Sequence, residues 1–288
     1  MGFIAIAGCG ALGGALAHKL AGRDRVAEIR LIDPEGRIAQ GKALDILQSS
    51  PVERFSTRIT SADAWTAAAG ADLVVLADDG VSGKEHAGES GLMLVRQLVS
   101  VSGAAPIVFA GAGQRELIGR ASSELRVPRR RLLGSAPLAL ESAVRALAGV
   151  LLDTSGVDVA LRIVGVPPNA AVVAWEEAAA SGLPLSSQLP AHQIAMLTSR
   201  IRSLWPPGPY ALASAASRVV EGLLGRSRRR FSCFVALERG ALRDSGEFRS
   251  DVPVVAMPVE LGAEGVRRVL EPSLTRQERT LLENAIEM

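Results

Sequence analysis

A short apolar run that breaks on a glycine-spaced turn and re-enters a helix leaves a chain few folds to choose from. Phe3 to Ala7 (FIAIA) reads as a buried strand, Gly8-Cys9-Gly10-Ala11-Leu12-Gly13-Gly14 follows at once, and Ala15 to Leu20 continues as a helix. A second apolar run, Ile29 to Ile32, ends on Asp33. Strand, glycine turn, helix, strand and terminal acid, in that order, make a dinucleotide-binding unit. Gly8 allows the tight turn, Gly10 lets the backbone approach a pyrophosphate, and Gly13 lets the helix pack close to the strand. The helix N-terminus, from Ala11 and Leu12, offers unpaired N–H groups and a partial positive charge to the phosphates. Asp33 is placed to accept hydrogen bonds from ribose hydroxyls and to repel a 2′-phosphate, which favours NAD over NADP.

Strand-like and helix-like segments alternate through the first half. Gly41 to Ser49 reads as helix, Arg58 to Thr60 as strand, Leu73 to Ala77 (LVVLA) as a buried strand, and Leu92 to Val101 as an amphipathic helix. Pro106 to Ala110 is the next strand, closed by Gly111-Ala112-Gly113 and the helix Arg115 to Leu125. That rhythm predicts an α/β fold: a parallel, doubly wound sheet with ligands at the carboxyl ends of its strands, where Ala77 joins the cofactor-side residues. From about Pro137 the texture changes. Leu140 to Leu151 reads as one helix and Val157 to Val164 alternates as a half-exposed antiparallel strand. Helices at Ile194 to Leu204 and Ala211 to Leu224, strands at Phe231 to Leu237 and Val252 to Val259, and a closing helix at Thr275 to Glu287 complete the chain. Thr275 and Glu278 form a capping box. The division expected is a nucleotide-binding domain over 1–137 and a second domain over 138–288, packed directly on the first.

Bulk properties narrow the class further. The chain has 288 residues, a net charge of +2 and a pI near 8.8, too balanced to argue for nucleic acid. Arg226-Ser-Arg-Arg-Arg230 and Arg129-Arg130-Arg131 sit at helix–strand connections and read as solvated loops. Cys9 and Cys233 lack metal or disulfide spacing, so no metal site is expected and a reducing compartment is the default. The apolar N-terminus has no basic flank and carries five glycines within Gly2 to Gly14, unlike a signal peptide. No stretch is long and apolar enough to span a bilayer. A cytoplasmic protein with no membrane partner is expected.

Several segments together resemble the lactate/malate dehydrogenase family over nearly the whole length: GCGALGGALA, LID, GKALDILQSSPV, ADLVVLA, ESAVRALAG, VDVALRIVGVPPN, AWEEAAASGLPL, YALASAASRVVEGLLG and PVELGAEGVRRVLEPSLTRQE. GKALD is closer to the malate branch. The resemblance implies a Rossmann domain followed by an antiparallel α/β substrate domain, NAD as cofactor, a small 2-hydroxy or 2-oxo acid as substrate, and a homodimer or homotetramer. In that family a His takes the hydroxyl proton, an Asp orients it, one Arg grips the substrate carboxylate, and a loop Arg polarises the carbonyl. Histidine titrates near neutral pH and so both takes and returns a proton, while a guanidinium grips a carboxylate at two points.

This chain departs from the pattern at each of those roles. The Gly-Gly-His-Gly-Asp turn matches Gly165-Val166-Pro167-Pro168-Asn169, which puts Pro167 at the His position. The Asp of the orienting pair matches Glu141, and its Arg partner matches Val144. The substrate loop reads Val81 to Gly88, with Ser82 and Gly88 at the two arginine positions. The Asn that supports the nicotinamide matches Ala110. Arg145 lies one helical step from the lost arginine, about 100° away, and should point elsewhere. Within the loop, His86 and Lys84 are candidates for a replacement acid and cation, with Glu141 as a third weak catalytic candidate; the plainer reading of the loop is an exposed polar turn. Cys9 reads as a small residue in a tight slot rather than a redox centre. Two functions therefore stand open: a family-type oxidoreductase working through a rebuilt site, or a catalytically silent relative that keeps the nucleotide scaffold in a structural or regulatory role.

Overall fold

The protein, seen in a computed structural model, is described over residues 2–226, 229–237 and 252–287. Six strands of the first half, β1 (Phe3–Ala7), β2 (Glu28–Ile32), β3 (Arg58–Ala62), β4 (Leu73–Leu76), β5 (Ile107–Phe109) and β6 (Leu132–Gly134), lie parallel in the order β3-β2-β1-β4-β5-β6. Central strands in such a sheet are covered on both sides and carry unbroken apolar runs. Ile4, Ala5, Ile6 and Ala7 of β1 are completely buried, and β4 is buried at all four positions. Helices α1 (Ala11–Ala21), α2 (Gly36–Glu53), α3 (Gly88–Ser102) and α4 (Arg115–Ser123) make the crossovers. The strand order reverses direction between β1 and β4, and that reversal opens a crevice at the carboxyl ends of the two strands.

The second half begins with α5 (Ala136–Leu151) and continues through β7 (Val159–Ala160), β8 (Ile163–Val166), β9 (Ala170–Val173), β10 (Ala179–Ala180), β11 (Leu183–Pro184), α6 (Leu185–Gln188), α7 (Ala191–Arg200), α8 (Pro209–Glu221), β12 (Arg230–Ala236), β13 (Val254–Gly262), β14 (Gly265–Val269) and α9 (Arg276–Glu287). It does not build a separate main sheet. Phe234 of β12 pairs antiparallel with Gly134 of β6, and the sheet runs on through β13, β8 and β9, with β14 on β13, to eleven strands. Gly134 leaves room for this pairing, since a Cβ there would press on the Phe234 and Ile118 side chains at 3.1 Å. α8 packs on α1, so the two halves also meet through helices.

The run Val157 to Val164, expected as one strand, is two. β7 pairs with β10 in a small three-stranded sheet, whereas β8 joins the large one. The break falls at Leu161 and Arg162, where Leu161 enters a second apolar cluster with Leu140, Val144 and Ile163 and the Arg162 guanidinium turns to Glu141. The capping box is made as expected: Thr275 N–H donates to Glu278 Oε2 at 2.8 Å and Glu278 N–H donates to Thr275 Oγ1 at 3.2 Å. Of the two arginine runs, Ser227 and Arg228 lie outside the described residues. The other run is not simply solvated: Arg131 is buried and donates through Nε and Nη2 to the Ala105 carbonyl.

Candidate functional site

The glycine turn after β1 is shaped by close approach, and the structure identifies what approaches. Gly8 takes φ +98°, and its N–H donates to the Ile32 carbonyl at 2.8 Å, tying the turn to β2. A Cβ on Gly13 would lie 2.1 Å from the Gly8 carbonyl oxygen, so that glycine does bring the helix onto the strand. At Gly10 the neighbour is the chain itself: a Cβ would lie 2.3 Å from the Asp78 carboxyl group. Asp78, immediately after Ala77 at the end of β4, is 4% exposed. Its carboxylate accepts from the N–H groups of Leu12 (2.9 Å) and Gly13 (2.8 Å), and its carbonyl accepts from Gly10 N–H at 2.9 Å. Lys42 Nζ donates to the Gly10 carbonyl at 2.7 Å and brings a cationic charge to the turn. Ala11 opens α1 beside these groups and is exposed. The anion position at the start of α1 thus holds a side-chain carboxylate.

Asp33 also faces inward. It is 1% exposed and accepts from Cys9 N–H (2.9 Å), Gly80 N–H (2.9 Å) and Glu35 N–H (3.0 Å), three of the roughly four positions a carboxylate offers. The sequence reading gave those positions to ribose hydroxyls; in the structure they fasten Gly80. Burial first, and then the neighbouring Asp33, pushes the Cys9 thiol up to about 12, so it stays protonated and inert.

Asp78 and Gly80 belong to one compact turn. Asp78 and Glu85 form a β-bridge across it, and Asp79 N–H donates to the Lys84 carbonyl at 2.9 Å. The Asp79 carboxylate accepts from Ser82 N–H (2.6 Å) and Val81 N–H (3.1 Å), and the Ser82 bond above all holds it below the usual carboxylate range. At the far end Glu85 accepts from Ala112 N–H (2.8 Å) and Gly113 N–H (2.6 Å) in the loop after β5. Ala77 is buried beneath the turn, and its carbonyl accepts from Gln114 Nε2 at 3.0 Å.

The three catalytic candidates are not brought together. His86 packs edge-on against Trp65 with ring centroids 6.2 Å apart, and its Nε2 is buried with no hydrogen-bond partner. Burial draws its imidazole below the ordinary value, against the pull of Asp79, Asp33 and Asp78. Lys84 contributes its backbone to the turn, and its side chain is exposed. Glu141 lies on α5, fully buried, and accepts from Arg162 Nη1 at 2.8 Å and from Ser232 Oγ. Burial pushes the Glu141 carboxyl up and Arg162 opposes it. No hydrogen bond or ion pair joins any two of His86, Lys84 and Glu141 among the described residues. Pro167 sits in the turn between β8 and β9 and leads a cis bond to Pro168. Arg145 donates to the carbonyls of Val159 (2.6 Å) and Val157 (3.2 Å).

Asp78, Arg162 and Ser232 make the decisive contacts of these two regions, and the sequence alone did not single them out. Asp78-Asp79 offered a signal: two acids closing a buried strand at the point where an anionic ligand is expected. Arg162 and Ser232 offered none, since their common partner is far away in the chain. Among the described residues no group of three or more His, Cys, Asp or Glu is placed to hold a metal ion, and no helix is long and apolar enough to cross a membrane. A separate cavity of about 420 Å³ lies on another face, between Arg129, Arg130, Arg267 and Arg268 and the apolar Met257 and Leu270.

Comparison with known proteins agrees with this layout. Residues 3–102 match the family model of the lactate/malate dehydrogenase NAD binding domain. The malate dehydrogenase of Thermomicrobium roseum is 27% identical, over 97% of this chain and 93% of the relative, and that of Roseiflexus sp. (strain RS-1) is 26% identical over 99% and 95%. Among solved structures, malate dehydrogenase from Salinibacter ruber superposes with a TM-score of 0.82 at 23% identity, covering 98% of this chain and 93% of that one. Lactate dehydrogenase from Cryptosporidium parvum, complexed with lactic acid and NAD, superposes with a TM-score of 0.84 at 20% identity, over 99% and 94%.

Proposed function

We propose that this chain, a member of the lactate/malate dehydrogenase family, is a nucleotide-binding protein in which ordinary malate or lactate turnover is absent or very weak. The observation that carries this reading is the state of the acid–base position. Pro167 has neither a titratable group nor an N–H, and both oxygens of the nearby family-position acid, Glu141, are engaged by Arg162 and Ser232. Arg162 is the guanidinium that precedes this turn, and its pairing with Glu141 leaves it poorly placed to grip a substrate carboxylate. Loss of positioned proton transfer alone costs about 10²–10⁴ in rate.

For the cofactor, the residues assigned are Gly8, Gly10, Ala11, Leu12, Gly13, Asp33 and Ala77. The N–H groups of Leu12 and Gly13, at the positive end of α1, suit a pyrophosphate, and Asp33 suits a ribose diol. The backbone fits a dinucleotide, but a bound pyrophosphate and the Asp78 carboxylate claim the same two donors. When bound, NAD supplies the hydride-accepting ring. What the chain itself supplies is binding and orientation; among the described residues no titratable side chain stands at the acid–base position that Pro167 takes. Two free buried cysteines support a reducing, cytoplasmic setting. By family resemblance we assign a homodimer or homotetramer, acting, if it acts, on a small 2-oxo or 2-hydroxy acid.

The test is to follow NADH absorbance with oxaloacetate, pyruvate and a panel of other 2-oxo acids. No turnover above background is expected, and clear turnover with any of them defeats the silent reading. That result would favour the rebuilt-site alternative through His86, Lys84 or Glu141, and an alanine variant that abolishes the rate would identify the residue used.

A further inference from the structure

Three carboxylates from two short segments close the nucleotide crevice from within. Asp78 sits on the first N–H groups of α1, Asp33 holds Gly80, and Glu85 sits on the N–H groups of Ala112 and Gly113. The residues from Asp78 to Glu85 therefore run from the glycine turn after β1 to the glycine turn after β5, across the point where the strand order reverses. This is not an ordinary helix cap. The N-cap residue Gly10 contributes no side chain, and the capping carboxylate comes from 66 residues away in sequence. Gly8 and Gly10 are both shaped to it, since a Cβ on Gly8 would lie 2.5 Å from the Asp78 carbonyl oxygen.

We infer that the Asp78–Glu85 turn is an intramolecular competitor of the dinucleotide, a plug that occupies the pyrophosphate position until it is displaced. The inference rests on the cofactor assignment above. A carboxylate is a fair stand-in for a phosphate at a helix N-terminus because both are anions that accept from converging N–H groups. With the plug seated, Asp78 excludes the pyrophosphate both by space and by like charge. Apparent affinity is then the intrinsic affinity scaled by the fraction of molecules with the turn released. The same movement frees Gly80 from Asp33, so one displacement opens both the phosphate and the ribose positions.

The experiment is calorimetric titration of the full-length protein with NADH and, separately, with inorganic pyrophosphate, for wild type, Asp78→Ala and Glu85→Gln. If the released state is the usual minor population of a two-state equilibrium, Asp78→Ala should bind both ligands about 10-fold tighter or better. Glu85→Gln, which loosens only the far anchor and leaves the α1 contact intact, should give a smaller gain in the same direction and keeps the test alive if Asp78→Ala folds poorly. Amide hydrogen exchange supplies a readout that needs no ligand: the Leu12 and Gly13 amides should lose protection in Asp78→Ala. Wild type that binds NADH as well as or better than both variants overturns the plug and leaves the cofactor assignment standing. Folded wild type and variants that all fail to bind NADH and pyrophosphate overturn the two together.

Discussion

The crevice at β1 and β4 and the buried cluster on α5 have both turned their charges inward, but by different means. In the crevice, Asp78 and Glu85 rest on backbone N–H groups at the two ends of one short turn, and the Asp33 carboxylate holds Gly80 between them. On α5, Glu141 is wholly buried and bound to Arg162 and Ser232 from two other elements. The first arrangement resembles a ligand and can be exchanged for one. The second is part of the core, and opening it would strand a charge in an apolar surrounding. Carboxylates that rest on backbone donors and a carboxylate that is paired within the core thus answer differently to the loss of a partner.

The largest effect expected comes from breaking the second region. Arg162→Ala leaves the Glu141 carboxylate buried without its cation, and unfolding free energy should fall by about 3 kcal/mol in urea titration at neutral pH. Glu141 in that variant should be pushed up further. A carboxyl raised in the folded state destabilises above its folded pKa and is relieved as pH drops below it, so the deficit should shrink toward acidic pH. A loss of only a few tenths, independent of pH, would mean that the cluster is as exchangeable as the crevice, and the contrast between the two regions would fail.

A smaller pair of effects sharpens the first region. In Gly13→Ala the new Cβ meets the Gly8 backbone, which cannot step aside, and a loss of about 2 kcal/mol is expected from overpacking. In Gly10→Ala the Cβ meets the end of a side chain, Asp78, which can swing out. The cost there should be nearer 1 kcal/mol, the value of a lost helix cap. Denaturant midpoints of the two variants settle the order, and equal losses would show that Asp78 is held as rigidly as backbone.

How much of this was legible in the residues follows the same divide between local and distant causes. β1 and β2 were readable because apolar runs end on punctuating residues, and the Thr275–Glu278 cap because both halves lie within one helical turn. β4 was readable too, although it stops at Leu76 and leaves Ala77 to the turn. The break of Val157 to Val164 was invisible because alternation runs straight through it; what bends the chain is Glu141, 21 residues from Arg162. The expectation that Pro167, Ser82, Gly88 and Ala110 stand where the family carries its working groups rests on resemblance alone. The occupant of the glycine turn was not, since helix N-termini accept any anion and the turn's partner is set by tertiary contact between β1 and β4.

The smallest effect concerns the residue that closes the plugging turn. His86 has its imidazole drawn below the ordinary value by burial against Trp65. The folded chain keeps this ring neutral at a pH where the unfolded chain, titrating near 6.5, already takes up a proton. Stability from this group should therefore be level above about pH 6.5 and decline as pH falls from there to the folded pKa, then level again. His86→Gln removes the titration, so the wild-type minus variant difference in urea midpoint should carry a slope in that window and none above it. Asp79, Asp33 and Asp78 all pull the other way, and releasing the turn should change their distance from the ring. Asp78→Ala unseats the turn, and with it the burial that draws the ring down, so the same difference measured in that background should flatten. A slope of opposite sign would mean that the acids of the turn outweigh burial, and that His86 is a charge partner of the plug and not a ring kept neutral by burial.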